Sequence, residues 1–148
     1  MHLMANFFLS NKHLLWRAGF GPAISQVKNL DAIPTKDILK QIFTESKFEG
    51  ITYQTADYAA SETDAENKNA AQKREMQKIS QKQNSELNLA FLKKMTESED
   101  QLREKMAFFW HGHFATRINN PKFNRQLLNT LRKDALGNFR DLLFSVSR

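Results

Sequence analysis

Apolar residues recur at helical spacing along most of this chain, and the alternation of a half-buried strand is missing. The densest run is residues 102–116, LREKMAFFWHGHFAT. Leu102, Met106, Phe109 and His113 fall at i, i+4, i+7 and i+11, and Ala107, Phe108, Trp110 and Phe114 widen that face. The block from Met106 to Trp110 is apolar throughout, where a strand would alternate. The spacing therefore predicts a central aromatic helix over about 102–116, packed by neighbours on several faces. Two capping boxes precede it, Thr96-x-x-Glu99 and Ser98-x-x-Gln101, and the second lies nearer the apolar rhythm. Gly112 costs a helix interior about 1 kcal/mol relative to alanine, so it is expected to mark close backbone approach or the helix end.

Shorter helices are expected on either side. Ser10 or Asn11 can cap one running through Leu14, Leu15 and Trp16 to Ala18, with Gly19 as a left-handed stop. Pro22 suits the first position of a second, with Ile24, Val27 and Leu30 as its apolar side. Thr35 caps a third carrying Ile38, Leu39, Ile42 and Phe43. Residues 47–58 read as irregular, since Ile51-Thr52-Tyr53 is too little for a sheet. Asn119-Asn120-Pro121 is a turn signal that opens a helix with Phe123, Leu127, Leu128, Leu131, Ala135 and Leu136 inward. Gly137 breaks it, and Asn138 caps a last helix striped by Phe139, Leu142, Leu143 and Val146.

Between residues 59 and 95 alanine, glutamine, lysine and glutamate dominate, without proline or glycine. Glu62, Asp64 and Glu66 lead and Arg74, Lys78 and Lys82 follow, an order that suits the helix dipole. The apolar signal is thin, so docking is expected from Met76 onward. Residues 60–72 are either a solvated helical extension or a disordered loop, and 59–83 reads as a variable, low-complexity insertion. The basic stripe reads as a solvated face.

These elements make an all-α protein, an irregular multi-helix bundle in a single domain over residues 1–148. The last stripe is still apolar when the sequence stops. This is expected of an N-terminal piece whose partner is the remainder of a longer chain, or which pairs as a homodimer.

Charge refines the picture. The formal net charge is +6. Residues 1–60 contribute +1, residues 61–100 contribute −1 and residues 101–148 contribute +6, so the whole excess lies in the last third. The aromatic residues there fall on apolar faces instead of interleaving with an exposed basic stripe, which argues against a nucleic-acid partner. The arginines are expected to meet carboxylates elsewhere in a larger protein. No cysteine is present, which excludes disulfides and thiolate metal sites. No apolar run approaches a membrane span, and the first residues lack the charged and apolar regions of a signal peptide.

Three stretches, HLLWRAGFGP (13–22), LREKMAFFWHGHFAT (102–116) and RQLLNTLRKDALGNFRDLLFSVS (125–147), together resemble the N-terminal landmarks of the bacterial family called domain of unknown function 1800. The matches come in the right order and cover about a third of the chain. The resemblance implies a mostly helical, considerably longer protein without an established activity, from a family whose members are often exported. The absent leader departs from that pattern.

Candidate chemistry is confined to the histidines. His111 and His113, with His13 as a third, carry imidazoles, which suit zinc, copper or iron when neutral, as part of a metal-assisted hydrolase site. Glu104, seven residues before His111, could share its face as ligand or base. Geometry opposes the simple version, because residues two apart on a helix point about 200° apart. His-Gly-His chelates one ion only if Gly112 breaks the helix. The competing reading is packing, with His113 at a core edge and His111 against a neighbouring element. Arg17, Gly19 and Gly21 could form an anion nest, but RAGFGP is too short for a phosphate loop and lacks its lysine. No nucleophile elbow, Walker motif or dinucleotide fingerprint occurs. Catalytic residues thus stay unknown, and a helical scaffold or interaction role stands beside the metal reading.

Overall fold

The structure, a computed structural model, describes residues 7–44, 48–52, 69–114 and 118–147. Among these residues the chain is all-α: α1 (Phe7–Ala18), α2 (Ile24–Val27), α3 (Thr35–Ile42), α4 (Ala70–Glu97), α5 (Gln101–Phe114), α6 (Pro121–Asp134) and α7 (Phe139–Val146). None of these helices is long and apolar enough to cross a membrane.

The hub is a pair of helices, not one. α6 packs against α4, α5 and α7, while α5 also meets α4 and α1, and α3 attaches through α1. Ile51, Leu87, Phe91, Met95, Ala107, Leu128 and Ala135 form the core, flanked by Phe20, Ala90, Met106 and Trp110. On α6 the inward residues Leu128, Leu131, Arg132 and Ala135 follow i, i+3, i+4 and i+7, the stripe of an amphipathic helix. Pro121 stands at its start and the Asn120 side chain caps it through Lys122 N–H.

The aromatic helix is present but turned relative to its expected face. Its fully buried residues are Glu104 and Ala107, whereas Phe108 and Phe109 are each 54% exposed. α5 meets α6 through its smallest side chain and one ionic contact, and the large rings are displaced to the flanks. Neighbours still cover α5 on several sides, as expected, through α1, α4 and α6, while Phe108 and Phe109 stay half exposed.

Other corrections have local causes. Asn11 does not cap α1; the helix begins at Phe7, and the wholly buried Asn11 amide donates to the carbonyls of Leu30 (2.6 Å) and Ile33 (2.7 Å). Those two bonds satisfy backbone acceptors of the loop before α3, and Leu30 is buried beside them. Pro34, not Thr35, is the N-cap of α3. α2 is a single turn whose Ile24 is 88% exposed, so only Leu30 of its expected apolar side is buried. Gly21, not Gly19, adopts a positive φ, at 106°.

Gly19 has a different role. A Cβ there would lie 2.7 Å from Cβ of Gln101, so α1 ends in close contact with the start of α5. Gln101 joins three elements at this point. Its amide donates to the carbonyls of Met95 (3.0 Å) and Ser98 (2.7 Å), and its oxygen accepts from Phe20 N–H (3.3 Å). This replaces the expected Ser98–Gln101 capping box; Ser98 instead ends α4. Gly112 meets nothing within 4 Å, so close backbone approach does not explain it, and it lies in the last turn of α5, which ends at Phe114.

α4 is capped by Asn69 in a reciprocal box with Gln72. Its buried stripe is Gln83, Leu87, Phe91 and Met95, and Met76 and Ser80 on the same side are half-buried, so docking begins near Met76 as expected. Arg74, Lys78 and Lys82 are exposed, as expected of a solvated face. Residues 53–68, and with them the alternatives for 60–68, lie outside the described residues. Asn138 caps α7 through Arg140 N–H, and of the expected stripe Leu142 is buried while Phe139 and Leu143 are about half exposed.

Candidate functional site

The most costly feature of the fold lies at the α5–α6 contact. Arg132 donates from Nε to Glu104 Oε2 (2.8 Å) and from Nη2 to Glu104 Oε1 (2.6 Å), a two-pronged pair with both residues almost wholly buried. Two ions removed from water need such geometry, because their mutual attraction must offset the loss of hydration. The third guanidinium nitrogen donates to Glu49 O (2.8 Å), and the guanidinium carbon lies 5.4 Å from the centre of the Phe48 ring. Residues 48–52 are thereby drawn onto α6. Asn129, one turn earlier, holds the same segment: its oxygen accepts from Ile51 N–H (2.8 Å) and its amide donates to Ile51 O (3.3 Å).

A second ionic contact continues the network. Arg103 pairs with Asp100 and donates from Nη1 to the carbonyls of Arg132 and Lys133 (3.2 Å each) in the last turn of α6. Lys94 reaches Glu49 at 3.3 Å. A cavity of about 260 Å³ opens beside this network, with Ser98 and Glu99 at its wall. Asp100, Glu104 and Glu49 are each engaged by a cation, the first two in buried or nearly buried contacts and Glu49 at the surface. The expectation that the C-terminal arginines meet carboxylates only elsewhere is corrected here, since Arg103 and Arg132 find theirs within this chain.

The second feature is a contiguous aromatic cluster on α5 and α7. Phe109 stands edge-on to Trp110 (5.0 Å between ring centres), and Trp110 stacks on Phe139 of α7 (5.4 Å). Trp110 Nε1 donates to Ala135 O (3.2 Å), which anchors the indole across α6. The His113 imidazole stacks on Phe109 (6.0 Å) and meets Trp110 and Phe114 edge-on. Phe109 and Phe139 are each at least half exposed. The premise that the aromatic residues all lie on covered faces therefore fails for these two, and also for Phe108, Phe123 and Phe144.

The proposed ligands are placed apart by the helix itself. α5 runs unbroken through His111, Gly112 and His113, so the two imidazoles leave the axis in nearly opposite directions. His113 is exposed and His111 half-buried, while His13 is exposed on α1. Glu104 is committed to Arg132 and does not serve His111. Among the described residues no three His, Asp or Glu side chains gather as a metal ion would require. Gly21 is accounted for by its positive φ of 106° and by the Trp16 indole, which a Cβ there would meet at 3.1 Å.

Sequence reasoning missed Arg132, Asn129 and Asn11. A signal for Arg132 exists: it is the one cation inside the apolar stripe Leu128–Leu131–Ala135, and Glu104 is the one carboxylate three residues before Ala107 on the facing helix.

No characterised protein and no solved structure matches the chain. A family model does, and it spans residues 13–148, which takes in all three landmark stretches. The chain belongs to the family described as protein of unknown function (DUF1800).

Proposed function

We propose that this chain is a helical scaffold that uses the aromatic face of α5 and α7 to pack against a second copy of itself. The observation that carries this reading is the five-ring cluster, anchored by Trp110 and leaving Phe109 and Phe139 half exposed. Contiguous exposed rings on a rigid support are the usual centre of a protein–protein contact. Arg140 and Asp141 adjoin on α7, so a two-fold arrangement can set opposite charges against each other.

Sedimentation velocity over a wide concentration range tests it, with Phe109→Ser/Phe139→Ser alongside the parent. The parent should associate and the double variant should remain monomeric with unchanged helical circular dichroism. A parent that stays monomeric throughout, or a variant that associates equally, overturns the reading. The metal-assisted alternative through His111 and His113 draws no comparable support, because a regular helix keeps the two imidazoles from sharing one ion.

A further inference from the structure

Residues 48–52 form no helix or strand, and among the described residues no backbone–backbone hydrogen bond ties them to the fold. They lie along the cleft between α4 and α6 and run antiparallel to α6, with Ile51 at Asn129 and Glu49 at Arg132. The hydrogen bonds that hold them come from side chains 45 to 83 residues away in sequence. We propose that this cleft recognises extended peptides carrying an aromatic residue three positions before a β-branched aliphatic one, and that residues 48–52 fill it as a built-in competitor.

The contacts are of the kind by which proteins read an extended chain, with main-chain bonds for affinity and pockets for selected side chains. Asn129 accepts from Ile51 N–H (2.8 Å) and donates to Ile51 O (3.3 Å), a pair of bonds that any residue but proline can offer. Arg132 Nη1 donates to Glu49 O (2.8 Å), a third contact blind to side-chain type. Selection enters at two points. The Ile51 side chain, 3% exposed, joins the core cluster of Leu87, Phe91 and Leu128. The Phe48 ring lies against the Arg132 guanidinium. Glu49, Gly50 and Thr52 are exposed, and the contact of Glu49 with Lys94 is a surface pair of little weight.

The buried ion pair gains a purpose in this arrangement. Such a pair is a weak source of stability, because packed apolar residues serve as well or better. What it supplies is a guanidinium fixed by both carboxylate oxygens of Glu104, with its remaining nitrogen and one flat face directed at the segment. A donor held in place beforehand loses little freedom when a chain binds. None of these contacts depends on the covalent link between the segment and the helices, so a separate chain of the same pattern can make them all. The protein's own segment is tethered, which gives it an effective concentration on the order of millimolar. Its occupancy lowers the apparent affinity for any competitor.

The test is fluorescence anisotropy of a labelled peptide, Phe-Glu-Gly-Ile-Thr with both ends capped. It is measured with the parent and with Phe48→Ala/Ile51→Ala, whose own segment has lost both anchors. The variant should bind at least about tenfold more tightly than the parent. The peptide with aspartate in place of isoleucine should bind the variant at least about tenfold more weakly. Adding Asn129→Leu to the variant should weaken binding several-fold. Equal binding by parent and variant, equal binding of the two peptides, or no binding up to about 1 mM overturns the proposal. If the variant loses its helical circular dichroism, hydrogen exchange of the parent is measured in its place. Excess peptide should then speed exchange at the Ile51 amide and not at the Leu87 amide, and unchanged exchange at Ile51 overturns the proposal. Parent and variant are also mixed, each carrying Phe109→Ser/Phe139→Ser to remove the aromatic face. A heterodimer that excess peptide leaves intact rejects the proposal, in favour of a segment exchanged between copies.

Discussion

Arg132 on α6 grips both carboxylate oxygens of Glu104 on α5, and the two residues are among the most buried in the molecule. Removing either partner leaves an uncompensated charge in the core. Glu104→Ala and Arg132→Ala should each lower unfolding stability by about 3–5 kcal/mol. The apolar pair Glu104→Leu/Arg132→Met should return to within about 1 kcal/mol of the parent, or exceed it. Urea denaturation of the four proteins decides. Full destabilisation in the double variant would mean that the bonds to Glu49 and Phe48, and not the ion pair, are what matters.

Two glycines should respond oppositely to alanine. Gly112 sits in a helix with open space around its missing side chain, so Gly112→Ala should stabilise the protein by about 0.5–1 kcal/mol. Gly19→Ala places a methyl group against Gln101 at the junction of α1, α4 and α5, and should destabilise it by about 1–3 kcal/mol. Thermal melts of both variants check the pair of signs.

Much of the helical plan was legible because it rests on periodicity and on punctuation. Pro121 after Asn120, Gly137, and Asn138 at its cap position marked α6 and α7 within a residue or two. The family was legible for a related reason, since the landmark stretches fall on four of these helices, α1, α5, α6 and α7. What escaped were contacts that depend on partners distant in sequence. Asn11 reads as a cap by its type, yet its amide serves carbonyls 19 and 22 residues away. The facing of α5 was misjudged because a run that is apolar all round has no periodic preference, and the smallness of Ala107 decided the packing. The histidine spacing correctly warned that one helix cannot aim both imidazoles together.

Asn129 should matter beyond its modest burial. Asn129→Leu keeps the branched shape but removes both bonds to Ile51, and should cost about 2 kcal/mol. Hydrogen exchange at the Ile51 amide should quicken more than exchange in α4. Unchanged protection at Ile51 would show that its buried side chain alone fixes the segment.

The aromatic face and the core should separate in their response. Leu131, fully buried, should lose about 2–5 kcal/mol as Leu131→Ala. Phe109→Ser, at a half-exposed ring, should cost under about 1.5 kcal/mol in the monomer. Denaturation at low concentration, where association does not contribute, measures the difference.

The opening turns of α4 have their own consequence. Residues 70–75 are exposed on every side and the first half-buried residue is Met76, so about 9 Å of helix at 1.5 Å per residue precedes the first covered position. Among the described residues, these turns are held by the Asn69–Gln72 box and their own backbone bonds. They will unwind and rewind on warming as a separate unit, at a free energy far below that of the whole fold, and a protease offered the native chain will cut there while α5 and α6 stay intact.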